Sequence, residues 1–390
     1  MKRLVWLLMP TVFCCYAALY IMFLNIPMRY AYKDGTKAER PVNAGKGNCH
    51  LPVVRPNPKY ASKEAELLKF IEKHLMDEKG GIRSNTREDK YGTEYFSESV
   101  GLLMDYSVLR GRKDLFDKVY SFFKSRLLVD GRYIKWKSGR DEVTCNAAVD
   151  DLRIVRALLD AYDLWGAKEY YDTAGFVQEA MFEKQVSEDR LYELYDWKSG
   201  RARAMVPLCY LDAYTMERLS GFNENWRIAA DKALMTINNG RMDNTPFFNK
   251  YFDYETSTYS PDEELSRGKG ICLTYTIYTV LHLAEMNENT DFFADFLKRE
   301  MRKGKLYAWY NPGTLKPASD LESTAVYALA SIYCKRVGET ELCYKLLDRM
   351  LKFMVTDRES IYYGGFGNSK RGEFHSFDNL TALKALAEAP

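Results

Sequence analysis

From Lys59 onward, apolar positions recur at helical spacing almost without a break. The pattern predicts twelve helices, over residues 61–76, 97–110, 113–128, 147–165, 167–184, 204–219, 224–238, 265–286, 290–303, 320–337, 339–355 and 376–388. They alternate in character. The stretches at 97–110, 147–165, 204–219, 265–286 and 320–337 are apolar or small on most faces, as in "LRIVRALLDAYDLW" from residue 152. The helix after each is amphipathic. In 113–128 the apolar residues Leu115, Phe116, Val119, Tyr120, Phe122, Phe123 and Leu127 form one stripe. Buried-then-amphipathic pairs, repeated about six times, predict an inner ring of helices wrapped by an outer ring, an all-α (α/α)6 barrel. An open helical solenoid has the same periodicity and is the alternative. The long loops at 129–146, 185–203, 239–264, 304–319 and 356–375 each lead from an outer helix back to an inner one. In a closed barrel they emerge at one end.

Those loops change the picture from scaffold to site. The chain has 29 Tyr, 20 Phe and 6 Trp, and many fall in the loops, including Trp136, Trp197, Tyr251, Tyr254, Tyr307, Trp309 and Tyr310. Flat aromatic faces suit stacking on sugar rings; ordinary loop packing explains any one of them equally well. Three acidic clusters begin inner helices at the same end: Glu98, Asp150-Asp151, and Asp262-Glu263-Glu264. One acid at a helix N-terminus answers to the helix dipole. Three converging on one mouth supply what glycoside hydrolysis needs, a protonated carboxyl for the leaving oxygen and a second carboxylate as base or nucleophile. The apolar and aromatic surroundings of Glu98 favour its neutral form.

Charge narrows the field. Lys+Arg 56 against Asp+Glu 54 leaves no concentrated basic face for nucleic acid. No metal-ligand spacing occurs among the eight Cys and four His, and no phosphate-binding glycine loop is present, so no metal or organic cofactor is expected. Cys334 and Cys343 are the one pair considered for a bridge.

The N-terminus reads Met1-Lys2-Arg3 and then an apolar run from Leu4 to Leu24, long enough to span a bilayer. No convincing cleavage site follows, so residues 1–25 read as a signal anchor with Lys2 and Arg3 on the cytoplasmic side; a cleaved signal peptide is the alternative. Residues 26–57 read as an extracytoplasmic linker and 58–390 as the folded domain. The expected localisation is a single-pass membrane protein with its domain outside the cell membrane.

Ser97-Glu98 before a Gly/Leu-rich helix, followed by "KDLFDKVYSFFKSRLLVDGRYIKWK", resembles glycoside hydrolase family 8, the bacterial cellulases and their relatives. The family signature A-[ST]-D-[AG]-D-x-x-I-A-x-A-L-L-x-A-x-x-x-W is similar to Ala147 through Ile154 with Ala157, Leu158, Leu159, Ala161 and Trp165. The resemblance implies an (α/α)6 barrel, an inverting mechanism and an endo-acting hydrolase of a β-linked polysaccharide. It places Glu98 on the general acid, Trp136 on a sugar-stacking tryptophan and Tyr210 on the tyrosine near the reacting sugar. The family's base lies in an Asp-Ala-x-Arg element, matched here by Glu264-Leu265-Ser266-Arg267, with Arg267 as the cation. Asp262 and Glu263 are alternatives for the base. Two departures stand out. Val149 occupies the signature's first Asp, with Asp151 on the second and Asp150 able to supply the missing carboxylate by a local shift. Glu replaces Asp at the base. The resemblance also implies a polysaccharide synthase as a candidate partner, and the departures admit a barrel that binds glycan without cleaving it. A helical scaffold with no sugar site is a third reading.

Overall fold

The computed structural model describes residues 53–87, 94–263 and 268–390. The predicted anchor, most of the linker, Glu264 and Arg267 lie outside the described residues. Among the described residues, no helix is long and apolar enough to cross a membrane.

Twelve α-helices are present among them: α1 Ala61–His74, α2 Ser97–Leu109, α3 Lys113–Arg126, α4 Ala148–Trp165, α5 Lys168–Gln185, α6 Ala213–Leu219, α7 Asn225–Asn239, α8 Leu273–Glu285, α9 Asp291–Arg302, α10 Thr324–Arg336, α11 Thr340–Met350 and α12 Ser376–Ala387. The even-numbered helices form the inner ring. α12 packs on α2, α2 on α4, α4 on α6, α6 on α8, α8 on α10, and α10 back on α12. The ring therefore closes, which removes the open solenoid. Outer helices pair with it, α3 on α2, α5 on α4, α7 on α6 and α11 on α10. Burial follows this division. Every residue of α10 from Ala325 to Cys334 is buried, whereas α11 buries only Leu342, Cys343, Leu346, Leu347 and Met350, one stripe at helical spacing. Each large apolar side chain so enclosed contributes about 1.5–3 kcal/mol.

Inner helices pass to outer ones by short turns such as Gly166-Ala167, where Gly166 takes a left-handed φ of 70°. The return connections are long. All inner helices thus start at the same end, the mouth, and the long loops gather there. Short antiparallel ribbons stiffen these loops, among them Tyr95–Phe96 with Lys137–Ser138 and the three strands Met205–Pro207, Tyr251–Asp253 and Thr258–Ser260.

Two predicted inner helices are shorter than their periodicity suggests. The stretch 204–219 opens as a strand ending at Pro207, passes through a 3-10 turn at Leu208–Tyr210, and becomes helical only at α6. Pro207 has no N–H to donate to a helix. Asp212 then caps the real start, its side chain accepting the Thr215 N–H at 2.9 Å. Among the described residues of the stretch 265–286, the inner helix α8 starts at Leu273. Gly268 and Gly270 precede it with φ of +77° and +86°, and a Cβ on Gly270 would stand 2.4 Å from the Tyr310 carbonyl oxygen. Cys334 and Cys343 are both buried free thiols and form no bridge.

Candidate active site

The ribbon at Tyr95–Phe96 delivers the chain to α2 so that the Ser97 N–H donates to the Trp136 carbonyl at 3.0 Å. Trp136 is half-buried and stacks on Phe96, with ring centroids 6.0 Å apart and planes 13° from parallel. The Ser97 hydroxyl reaches across to α4 and donates to Asp150 Oδ2 at 2.8 Å. Arg153, one helical turn along, donates from Nη1 to Asp150 Oδ1 at 2.7 Å. Gly101 permits this crossing, since a Cβ there would lie 3.0 Å from the Arg153 side chain.

Glu98 sits beside this cluster with no such partners among the described residues. Burial, and then the negative charge of Asp150, push its carboxyl up to about 8, against the pull of Arg153. Burial also raises Asp150, but Arg153 and the Ser97 hydroxyl oppose it. The two carboxyls are thereby split into a proton-holding acid and a partner tied to a cation. Asp151 points elsewhere, as adjacent helical positions must. Its Oδ2 accepts from Asn146 Nδ2 at 2.5 Å, and Asn146 accepts the Tyr195 N–H at 2.6 Å. Asp151 Oδ1 has no hydrogen-bond partner among the described residues. Burial first, then the Asp150 charge, raise this carboxyl well above its usual range. Asp151 therefore supports the 185–203 loop, while Asp150 is the one brought to Glu98.

Across the mouth, Asp262 is buried, 3.6 Å from Lys250 Nζ, while Glu263 is exposed. Lys250 in turn lies over the rings of Tyr251 and Tyr275, 4.9 and 4.4 Å from their centroids. Tyr210 is enclosed in the 3-10 turn before α6, only 5% exposed. Three mouth residues went unnoticed in the sequence. Arg153 was signalled by its i+3 spacing from Asp150. Asp378, in the first turn of α12, accepts the Ala325 N–H at 3.1 Å and is raised by burial against the pull of His375. Glu193, paired with Arg203 at 2.8 Å, lies in a loop with no periodic signal.

A closed double ring of helices with a proton-holding glutamate at its mouth, beside an ionisable aspartate and a tryptophan, defines the architecture of an (α/α)6 glycosidase. No family model matches the chain. YdaJ of Bacillus subtilis (strain 168), named as a candidate lipoprotein, is 30% identical over 324 residues, covering 81% of this chain and 84% of its own. An alpha-amylase from Clostridium perfringens superposes with a TM-score of 0.78 at 31% identity, over 84% of this chain and 98% of that one. The family 8 endoglucanase Cel10 from Klebsiella pneumoniae shares the fold at a TM-score of 0.59 and 14% identity, over 82% and 98%. The chain belongs to the same family as YdaJ, and it shares its fold with the family 8 endoglucanases.

Proposed function

We propose that the protein is a membrane-tethered, extracytoplasmic endo-glycosidase that cleaves a β-linked polysaccharide with inversion. The observation that carries this reading is the asymmetry of Glu98 and Asp150: two carboxyls at one mouth, with a cation and a hydroxyl committed to only one of them. Glu98 donates the proton to the leaving oxygen. A carboxylate of the 239–264 loop, Glu264 or Asp262, activates water, and Lys250 Nζ stands 3.6 Å from Asp262. Trp136, Tyr210 and Arg267 contact the sugar. The domain of residues 58–390 works outside the membrane, held by the apolar run at Leu4 to Leu24, where a polysaccharide synthase would pass its product. The B. subtilis relative's name as a candidate lipoprotein supports a membrane-associated, extracytoplasmic setting.

An α-linked glucan is the second reading, favoured by the 31% identity to the amylase. Incubation with a panel of β- and α-glucans and exopolysaccharides, with sequencing of the released oligosaccharides, decides between them. Release from β-linked polymers alone supports the first. Binding without release from any polymer would leave a glycan-binding barrel.

A further inference from the structure

Far from the mouth, the barrel encloses a second cluster that the proposed hydrolysis does not use. His282 and Glu285 share a face at the last turn of α8, and Asp212 caps α6 opposite them. His282 Nε2 lies 3.0 Å from the Cys209 carbonyl. A carbonyl only accepts, so Nε2 carries a hydrogen and Nδ1 is left to act as an acceptor or to take up a cation. Nδ1 is buried and has no hydrogen-bond partner. It faces Asp212 Oδ1 and Glu285 Oε2, each 3.9 Å away.

A lone pair aimed at two carboxylate oxygens needs positive charge between them. A proton on Nδ1 would supply it, but at 3.9 Å an N–H makes no hydrogen bond to either oxygen. A cation fits better. The three ligand atoms lie within 4.8 Å of one another, and two of the separations are 3.9 Å, so the nearest point equidistant from them is about 2.1–2.5 Å from each, within reach of divalent ions. The surroundings match a metal site's outer shell, in which a ligating histidine donates its other N–H to a backbone carbonyl and the carboxylates are themselves hydrogen-bonded. Arg156 binds the carboxylate oxygens that face away, Glu285 Oε1 at 2.8 Å and Asp212 Oδ2 at 3.8 Å. Thr215 donates to Asp212 from its N–H at 2.9 Å and from its hydroxyl at 2.5 Å. The side chains of Arg156 and Glu285 are 29% and 17% exposed, which leaves a path for entry.

The geometry points to a divalent-cation site made by Asp212, His282 and Glu285 at the floor of the barrel. One imidazole with two carboxylates suits manganese better than zinc or calcium. The site is structural. It joins the N-terminus of α6, the shortest inner helix among the described residues, to the last turn of α8.

The test uses the full chain, purified in detergent and stripped with EDTA. Titration with Mn2+, Zn2+ and Ca2+ is followed by calorimetry and thermal unfolding, and the Mn2+ complex by electron paramagnetic resonance. One equivalent of Mn2+ should bind, raise the unfolding temperature and lose its free-ion spectrum; His282→Gln should abolish this. Should that variant fail to fold, an anomalous difference peak within about 2.5 Å of the three side chains in Mn2+-soaked wild-type crystals makes the same case. Tighter binding of Zn2+ or Ca2+ at the same residues would keep the site and overturn the choice of metal. No binding at millimolar metal, binding indifferent to His282→Gln, or a nitrogen NMR signal showing Nδ1 protonated with and without metal would each overturn the site.

Discussion

The two ends of the barrel treat their carboxylates in opposite ways. At the floor, acids of the inner helices have cations against them. Arg218 spans Asp160 and Asp163, Lys384 meets Asp105, and Arg156 meets Glu285. Burial alone would raise Glu285, yet Arg156 holds it far below the usual carboxylate range. At the mouth, Arg153 is committed to Asp150, and Glu98 is left to burial and a negative neighbour. The inner helices α2, α4 and α8 serve both ends. The difference lies in where the cations are spent. A paired carboxylate holds helices together, and an unpaired one keeps a proton it can give away.

Glu98→Gln is the severest test of that contrast. It should lower turnover on the order of 100- to 10,000-fold while leaving glycan binding intact. It should also stabilise the fold in one window. The folded carboxyl binds its proton more tightly than the unfolded one, so wild-type stability falls as pH rises from about 4.5 towards about 8. The variant lacks that loss, and its unfolding temperature should gain on wild type across the window. Wild-type turnover in Glu98→Gln would end the assignment.

The opposing carboxylate comes next. Glu264→Gln should abolish hydrolysis if Glu264 is the base. Normal hydrolysis there, with loss in Asp262→Asn, would move the base to the acid beside Lys250. Proton NMR in the first minutes of reaction should show the α-anomer from a β-linked polymer, since an inverting pair stands roughly 6.5–9.5 Å apart with water between. An initial β-anomer would rule out inversion.

At the floor, Arg218→Met should cost about 2–3 kcal/mol. That is less than the roughly 3–5 kcal/mol for breaking a fully buried pair, because Asp163 is partly exposed. Denaturant unfolding reads the loss, and activity of the folded fraction should not change. A fall in activity without a fall in stability would erase the distinction between the ends.

Asp150→Asn should have a diagnostic effect on pH. Wild-type activity should fall off above about pH 8 as Glu98 loses its proton. Without the Asp150 charge, and with Arg153 released towards it, Glu98 ionises more readily, so the basic limb of the pH–rate profile should move to lower pH. An unmoved limb would mean that Glu98 does not govern it.

Much of this was legible in the chain. Period and burial separate cleanly in pairs such as 97–110 with 113–128, so the double ring could be read before any coordinates. Glu98 was visible as an acid at the head of an apolar helix. Other features depend on what periodicity does not register. Pro207 and the left-handed Gly268 and Gly270 cut two helices short inside stretches whose apolar pattern runs on. Asp150 and Asp151 look equivalent in sequence, and only the 100° between successive helical residues sends one to Glu98 and the other to Asn146. The floor cluster joins residue 212 to 282 and 285, a spacing no local motif encodes. Cys334 and Cys343 flank a turn as a bridged pair would, yet both serve as core.

The first described residues join the barrel at its closed end. The Val54 N–H donates to the carbonyl of Leu109, the last residue of α2, at 2.9 Å, and Arg110 donates to the Val54 carbonyl at 2.5 Å. Leu109 lies eleven residues along α2 from Glu98, about 16.5 Å at 1.5 Å per residue. A pull on the chain ahead of Val54 is therefore met at the end of α2 opposite Glu98, one helix length from the acid.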